Sequence, residues 1–426
     1  MARPFPSFLM LALPATLLLA GCTVGPDYKH PESAGTSGDW IEPATPGALA
    51  IGWWQRFDDP LLARLIDEAI AGSPAAREAM ARVREARAGE AAARGGALPV
   101  VQASGTATEN RMSENGALPV SSIPGFDPEY SLFDLGFDAS WEIDLWGHQH
   151  RQIEAAKART EAADAGRRDA LLMLAGEMAR AYIEMRQAQA DAASARTVAD
   201  ADMELARLTT LRTKAGESAP MERDRANAAA RQSEDKAIQA EVRARAAAYV
   251  VARLAGRPPE ALIPELTAPA PIPAAPDSIV TGLRSELLRR RPDVVRAERE
   301  LAAATADVGV ATADLFPRFS LVGGIGQQAR STDDLSDGGS TRFSIGPSFS
   351  WPIFTGGQVR ARLRAADARA EASVARYDQA VATALSDSES AINRFLKARS
   401  RVQAAAAALE QERAAFALSR QRVERG

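Results

Sequence analysis

Over residues 133–145 every odd position is apolar: Phe133, Leu135, Phe137, Ala139, Trp141, Ile143 and Leu145. The even positions are Asp134, Gly136, Asp138, Ser140, Glu142 and Asp144. A side-chain period of two puts these sets on opposite faces of a strand, one apolar and one polar. The rhythm returns in Phe343, Ile345, Pro347, Phe349, Trp351 and Ile353, set against Ser344, Gly346, Ser348, Ser350 and Pro352. A shorter run precedes each. Val101, Ala103, Gly105 and Ala107 alternate with Gln102, Ser104, Thr106 and Thr108, and Phe319, Leu321 and Ile325 share one face. Four strands are predicted. Such alternation suits a half-buried sheet on a soluble core, or a membrane barrel wall with its apolar face outward and its polar face inward. Residues 109–130 and 329–340 are long, polar and rich in Gly, Ser and Asp. They favour the barrel, whose outward loops have this character.

The rest of the chain follows a helical period. Residues 147–212 contain no proline, and Leu171, Leu174, Met178, Ala181, Met185, Ala188, Ala192, Ala195 and Ala199 recur at spacings of three and four. Leu363, Ala366, Ala370, Ser373, Tyr377, Ala384, Ser388, Ala391, Phe395, Ala398 and Val402 repeat the pattern. This is a coiled-coil signature. Roughly 65 residues at 1.5 Å each give a helix of about 100 Å, longer than any domain core. The other faces carry Arg, Glu, Asp and Gln, so these helices stand in water and pack through small residues. After residue 21 no apolar run approaches the ~18 residues of a membrane helix. Four strands cannot close a membrane barrel, because the smallest have about eight and lipid does not tolerate open edges. The strands are therefore expected to close by oligomerisation.

The chain is written twice. Ser73-Pro74 through Leu98-Pro99 corresponds to Arg291-Pro292 through Phe316-Pro317, a shift of 218 (74 to 292). Trp146-Gly147-His148-Gln149 corresponds to Thr355-Gly356-Gly357-Gln358, and Arg212–Gly216 to Arg422–Gly426. The expected divisions are a lipoprotein signal peptide at 1–21, an anchored segment at 22–48, a first repeat at 49–262, a Pro-rich linker at 263–276 and a second repeat at 277–426. The first repeat continues through Pro220 and a further helix to Pro259. By that analogy the second is expected to be truncated at Gly426, short of a return helix of roughly 40 residues.

Composition narrows the chemistry. The 426 residues include one cysteine, 25% charged and 6% aromatic residues, with a net charge of −4. One cysteine excludes an internal disulfide framework or a multi-cysteine zinc site. The mildly acidic balance argues against nucleic acid as a partner. Arg3, the apolar run at 8–20 and Leu19-Ala20-Gly21-Cys22 read as a secretory signal that ends at a lipidation site, Cys22. Several acyl chains there would anchor the chain firmly, at about 0.8 kcal/mol per buried methylene. His148 and His150 lie near Glu142 and Asp144, but the arrangement reads as a polar strand-to-helix junction rather than a metal centre. No nucleophile–base pair and no phosphate-binding Gly motif is legible. Neither enzyme activity nor a cofactor is expected.

Several stretches resemble the TolC-type outer-membrane efflux family, in its NodT-like lipoprotein branch. They are Cys22-Thr23-Val24-Gly25-Pro26-Asp27-Tyr28, Trp53-Trp54-Gln55-Arg56-Phe57-Asp58-Asp59-Pro60-Leu61 and Arg290-Arg291-Pro292-Asp293-Val294 with Ala297-Glu298. Leu315-Phe316-Pro317, Ser350-Trp351-Pro352-Ile353-Phe354 and the two Arg-x-x-x-Gly tips complete the set. Ser73-Pro74 departs mildly from the family's usual Asn at the helix break. The resemblance implies a mainly α fold with a membrane β-barrel: a homotrimer with four strands per protomer, a twelve-strand barrel and a helical periplasmic tube. It also implies an outer-membrane exit duct for drugs or other toxic small compounds. The partners it implies are a periplasmic adaptor, an inner-membrane pump of the resistance–nodulation–division class and outer-membrane lipid.

On this reading Phe133, Phe137, Trp141, Phe343, Phe349 and Trp351 face lipid. Asp134, Asp138, Glu142 and Asp144 face the lumen, either as cation-favouring rings or as a solvated face without selectivity. Arg212 and Gly216, with Arg422 and Gly426, mark periplasmic tips that meet the adaptor. A type I secretion duct for polypeptides is the alternative within the fold. A periplasmic lipoprotein hydrolase or coiled-coil scaffold is the alternative outside it.

Overall fold

The computed structural model describes residues 23–31, 38–41, 52–113, 125 and 127–425. Cys22 and Gly426 lie outside the described residues. The chain is mainly helical with one small sheet. In order, it forms α1 (Pro60–Gly72), α2 (Pro74–Gly96), β1 (Val100–Arg111), β2 (Glu129–Ile143) and the 67-residue α3 (His148–Lys214). There follow α4 (Pro220–Leu254), α5 (Pro259–Leu266), α6 (Arg284–Arg290), α7 (Pro292–Ala313), β3 (Arg318–Ala329), β4 (Thr341–Ser350) and α8 (Gln358–Glu424), also of 67 residues. Both long helices and all four strands fall where the two periodicities place them.

The repeat is written in hydrogen bonds as well as residues. Ser73 and Arg291 each precede a proline, which bars them from the α region. Both are extended, with φ −61° and ψ 156° at Ser73 and φ −65° and ψ 119° at Arg291. Each breaks its helix in the same way, its amide donating back (Ser73 to the Ala69 carbonyl, Arg291 to the Leu287 carbonyl). Ser73 Oγ also accepts from the Ala76 amide at 3.2 Å, so serine caps the helix that follows the break. Arg291 instead forks onto Asp293 at 3.0 and 2.7 Å. Burial pushes the Asp293 carboxyl up, but these bonds from Arg291 hold it below the usual carboxylate range.

The sheet runs β1-β2-β3-β4, antiparallel throughout. Phe137 stands between Ala103 and Ile325, and Asp138 between Gln102 and Gly324. In mid-sheet this register puts apolar residues beside apolar and polar beside polar, with Val100 and Val322 as exceptions that flank Ser140 on the polar face. β1 and β4 are the outer strands, each with one unpaired edge within the chain.

The chain divides into two compact units, each drawing on both halves of the sequence. One takes residues 1–32, 84–162 and 297–378, and includes the sheet. The other takes 33–83, 163–296 and 379–426. The second holds the main core: Leu62, Leu65 and Ile66 of α1 against Leu174, Met178, Tyr182 and Met185 of α3, Val251 of α4, and Leu262 and Leu266 of α5. Arg186, 2% exposed, closes this core. It donates to the Tyr182 hydroxyl at 3.1 and 3.0 Å and to the Ala268 carbonyl at 2.9 Å. Tyr182 in turn donates to Asp59 at 2.9 Å, and burial pushes its phenol up to about 12.

The predicted α3 seam is buried at Leu174, Met178, Ala181, Met185, Ala192 and Ala199. The α8 seam is buried at Ala366, Ser373, Tyr377 and Ala384, but its continuation through Ala398 and Val402 is exposed.

Candidate functional site

In the single chain the sheet is turned inside out. Its most exposed side chains include its most apolar ones: Phe137 at 59%, Phe343 at 78% and Phe349 at 69%. Leu135, Trp141, Ile325 and Ile345 join them, while Phe133 is half-buried between Ala107 and Ala329. The apolar band from Phe133 to Trp141 covers about 26 Å of strand at 3.3 Å per residue. Phe349 packs beside Phe319 with ring centres 6.1 Å apart. A patch of this size on a water-facing protein marks an interaction surface.

The polar face is cross-linked instead. Arg342 donates to both oxygens of Asp134, at 2.5 and 2.8 Å, and Gln328 adds a third bond at 2.8 Å. The Asp134 side chain is only 17% exposed. Ser104 donates to Asp138 at 2.7 Å. Asp134, Asp138 and Glu142 thus share one face, but they are not equivalent acids, because among them only Asp134 is hydrogen-bonded to an arginine. Asp144 lies beyond the end of β2. Its carboxylate accepts from the His150 amide at 2.8 Å, in the first turn of α3, where a negative group is favoured. Asp144 therefore belongs to the strand-to-helix junction, not to the strand face.

Trp351 also lies just past its strand. Its indole N–H donates to the Leu315 carbonyl at 3.1 Å, and that of Trp141 to the Ala97 carbonyl at 3.0 Å. The two bonds occupy matching places in the two repeats. Each indole keeps an apolar body on the apolar face and a satisfied N–H at the helix-proximal end of the sheet, as aromatics at a bilayer interface do. Nearby, Trp146 stacks on Phe316 at 4.8 Å and donates to the Pro317 carbonyl at 2.8 Å. His148 is buried at this junction, with Nε2 2.8 Å from Gln152 and Nδ1 3.5 Å from Asp314. Among the described residues no group of three or more His, Cys, Asp or Glu side chains is placed to hold a metal ion.

Residues 23–31 form a strap that the sequence patterns do not reveal. The Val24 amide donates to the Trp146 carbonyl at 3.0 Å, and buried Arg151 reaches Asp27 at 2.6 Å. Farther along, Tyr28 donates to Glu298 at 2.8 Å, and His30 Nδ1 lies 2.9 Å from the same oxygen. Burial raises Glu298, but the bonds from His30, Tyr28 and Arg299 outweigh it and hold the carboxyl below its ordinary value. The Tyr28 phenol is pushed well above its ordinary value, by burial first and by Glu298 second. The strap begins one residue after Cys22.

At the far end of α3, Gly216 takes φ +81°. The Glu217 amide donates to the Arg212 carbonyl at 2.9 Å and the Gly216 amide to Thr213 at 3.1 Å. This is a Schellman reversal, which needs a left-handed residue at that place. It turns the chain into α4 and leaves the Arg212 side chain exposed. Arg422 lies in the last turn of α8 and is exposed.

Among the described residues no helix is long and apolar enough to cross a membrane. A family profile described as outer membrane efflux protein matches residues 65–257 and 283–426, well over half of the chain. Nodulation protein T of Rhizobium leguminosarum bv. trifolii is 28% identical over 387 residues, 88% of this chain and 79% of that protein. The fusaric acid resistance protein FusA of Burkholderia cepacia is 32% identical over 378 residues, 84% of this chain and 69% of that protein. Among solved structures, the outer-membrane channel OprN aligns with a TM-score of 0.79 at 37% identity, covering 89% of this chain and 84% of that one.

Proposed function

The chain belongs to the outer membrane efflux protein family, and from that premise we propose that it is the passive exit duct of a tripartite pump, conducting small toxic compounds out of the cell. The observation that carries this reading is the inverted sheet. Its apolar face is exposed and its polar face is hydrogen-bonded, which suits lipid outside and water inside. The lipid-facing set is Phe133, Phe137, Trp141, Phe343 and Phe349, with Trp351 at the rim. The lumen set is Asp134, Asp138 and Glu142.

Closure requires other copies. The free edges of β1 and β4 cannot stand in lipid. Joining β1 of one protomer to β4 of the next in a homotrimer gives a twelve-strand barrel. The exposed apolar residues of α8, including Val402, Leu409 and Phe416, are further surface for helical assembly. Cys22 is the lipidation site, and the strap at 23–31 fixes the segment beside it to α3 and α7. The exposed tip around Arg212 and Gly216 meets a periplasmic adaptor, which links the duct to an inner-membrane pump of the resistance–nodulation–division class. Arg422, and Gly426 outside the described residues, form the second tip. FusA is named for resistance to fusaric acid, which favours small-molecule cargo over exported polypeptide.

The test has two parts. Detergent-extracted protein from outer-membrane fractions is expected to have three times the protomer mass, and deletion is expected to raise drug susceptibility. A soluble periplasmic monomer would overturn the reading. Lost protein export with unchanged susceptibility would shift the cargo to polypeptide.

A further inference from the structure

Arg342 is the one cation in the middle of the sheet's polar face. Arg318 is the other polar-face cation within the strands, but it sits at the helix-proximal end and pairs with Asp314 at 2.5 Å. Arg342 reaches Asp134 across the whole of β3. Two strand spacings amount to about 9.6 Å, close to the limit of an arginine even on the diagonal. The crossing is possible because β3 presents no side chain there. Gly326 stands opposite Arg342, and Gly324 is the next residue on that face. A Cβ at Gly326 would come within 2.6 Å of the Leu135 carbonyl oxygen, and one at Gly324 within 2.7 Å of Asp138 Oδ1. Gly136, paired with Gly326, continues the trough on β2. The guanidinium lies in this trough and binds both Asp134 oxygens, the planar fork geometry that favours arginine over lysine.

We propose that Arg342 sets the ion preference of the pore by cancelling Asp134, leaving Asp138 and Glu142 as the acids a passing ion senses. This rests on the reading of the polar face as a lumen wall. Among the described residues Asp138 is hydrogen-bonded to neutral Ser104 and feels Arg342 only at longer range, and neither Asp138 nor Glu142 forms an ion pair. A bidentate pair is a dipole whose field falls away within a few ångströms. An uncompensated carboxylate acts over the Debye length of about 8 Å at physiological salt. Each protomer therefore presents its lumen with two effective negative charges from the strands rather than three. A mildly cation-preferring duct can pass solutes of either sign, and Arg342 is the residue that keeps the preference mild.

The test is the zero-current potential of the purified full-length protein in planar lipid bilayers under a tenfold KCl gradient, with assembly checked by native mass. Arg342→Gln is expected to raise the K⁺/Cl⁻ permeability ratio at least about twofold, and Asp134→Asn to lower it by a similar factor. The double variant restores the charge count and is expected to lie within about 1.5-fold of the parent. Conducting Arg342→Gln channels with an unchanged ratio would overturn the inference while leaving the duct intact. Assembly lost in Arg342→Gln and in the double variant would make the bridge a staple of the sheet and would also overturn it. A parent protein that never conducts would instead remove the lumen-wall reading on which the inference rests.

Discussion

Phe137 and Ser140 lie three residues apart on β2, on opposite faces, so arginine at each asks which face meets lipid. Phe137 sits mid-strand between Ala103 and Ile325 and is 59% exposed in the single chain. Phe137→Arg would place a cation near the bilayer midplane at about 2–4 kcal/mol. It also forfeits about 2 kcal/mol of phenyl burial. The loss is roughly 5 kcal/mol per protomer and about 15 kcal/mol for a trimer, enough to abolish assembly. Ser140 stands between Val100 and Val322 on the polar face, two positions from both Asp138 and Glu142. Ser140→Arg enters water with two acidic neighbours and is expected to change stability by no more than about 0.5 kcal/mol. The assay is the fraction of each variant recovered from outer-membrane fractions as a heat-modifiable oligomer. Near-complete loss for Phe137→Arg with normal recovery for Ser140→Arg is expected. Equal recovery of both, or the reverse order, would refute the assignment of faces.

Other consequences can be checked separately. Tyr182→Phe leaves the buried Arg186 guanidinium short of an acceptor and should cost about 2–3 kcal/mol; Arg186→Met should cost about 3–5 kcal/mol. Thermal unfolding of the double variant should show at least about 1 kcal/mol less than the sum, because both partners leave together. Glu298 has a folded-state pKa below its unfolded value, so its contribution is full above the ordinary value of about 4.5 and fades as pH falls below it. Protection of the residue 23–31 amides, referenced to the intrinsic exchange rate at each pH, should fall between pH 5 and about pH 3 in the parent, with the dependence flattened in Glu298→Gln. Gly216→Val forces a β-branched residue to φ +81° and should cost about 1–2 kcal/mol by thermal unfolding, with Gly216→Asn better tolerated. Arg212→Glu should leave folding and oligomer mass unchanged while abolishing drug resistance, measured by minimum inhibitory concentration.

The parts legible in the sequence were those with a period. The two-residue rhythm of 133–145 and the three-four rhythm of 171–199 each depend on one element and survive any tertiary arrangement. The 218-residue shift likewise recovers the paired helix breaks at Ser73 and Arg291, because proline acts locally. The parts that stayed hidden depend on residues far apart in the chain. In sequence Arg342 is an isolated basic residue in a Ser-rich strand, and its partner Asp134 is 208 positions away. The glycines at 136, 324 and 326 were the available clue, since three small residues on one polar face leave room for a long side chain. The strap is similar: Tyr28 meets Glu298 across 270 positions, and no spacing rule reaches that far. Alternation continues past Ile143 in the sequence and so assigns Asp144 to the strand face. Asp144 lies instead in the approach to α3, where a carboxylate can meet a free amide of the first turn.

Whether the sheet is a wall with lipid on one side and water on the other is read directly from single-cysteine substitutions along residues 133–143 of the membrane-assembled protein. Each thiol is labelled once with a membrane-phase reagent and once with a charged aqueous reagent. Strict alternation is expected: odd positions react from the bilayer and even positions from water. Uniform aqueous labelling at every position, or alternation in the opposite phase, would contradict it.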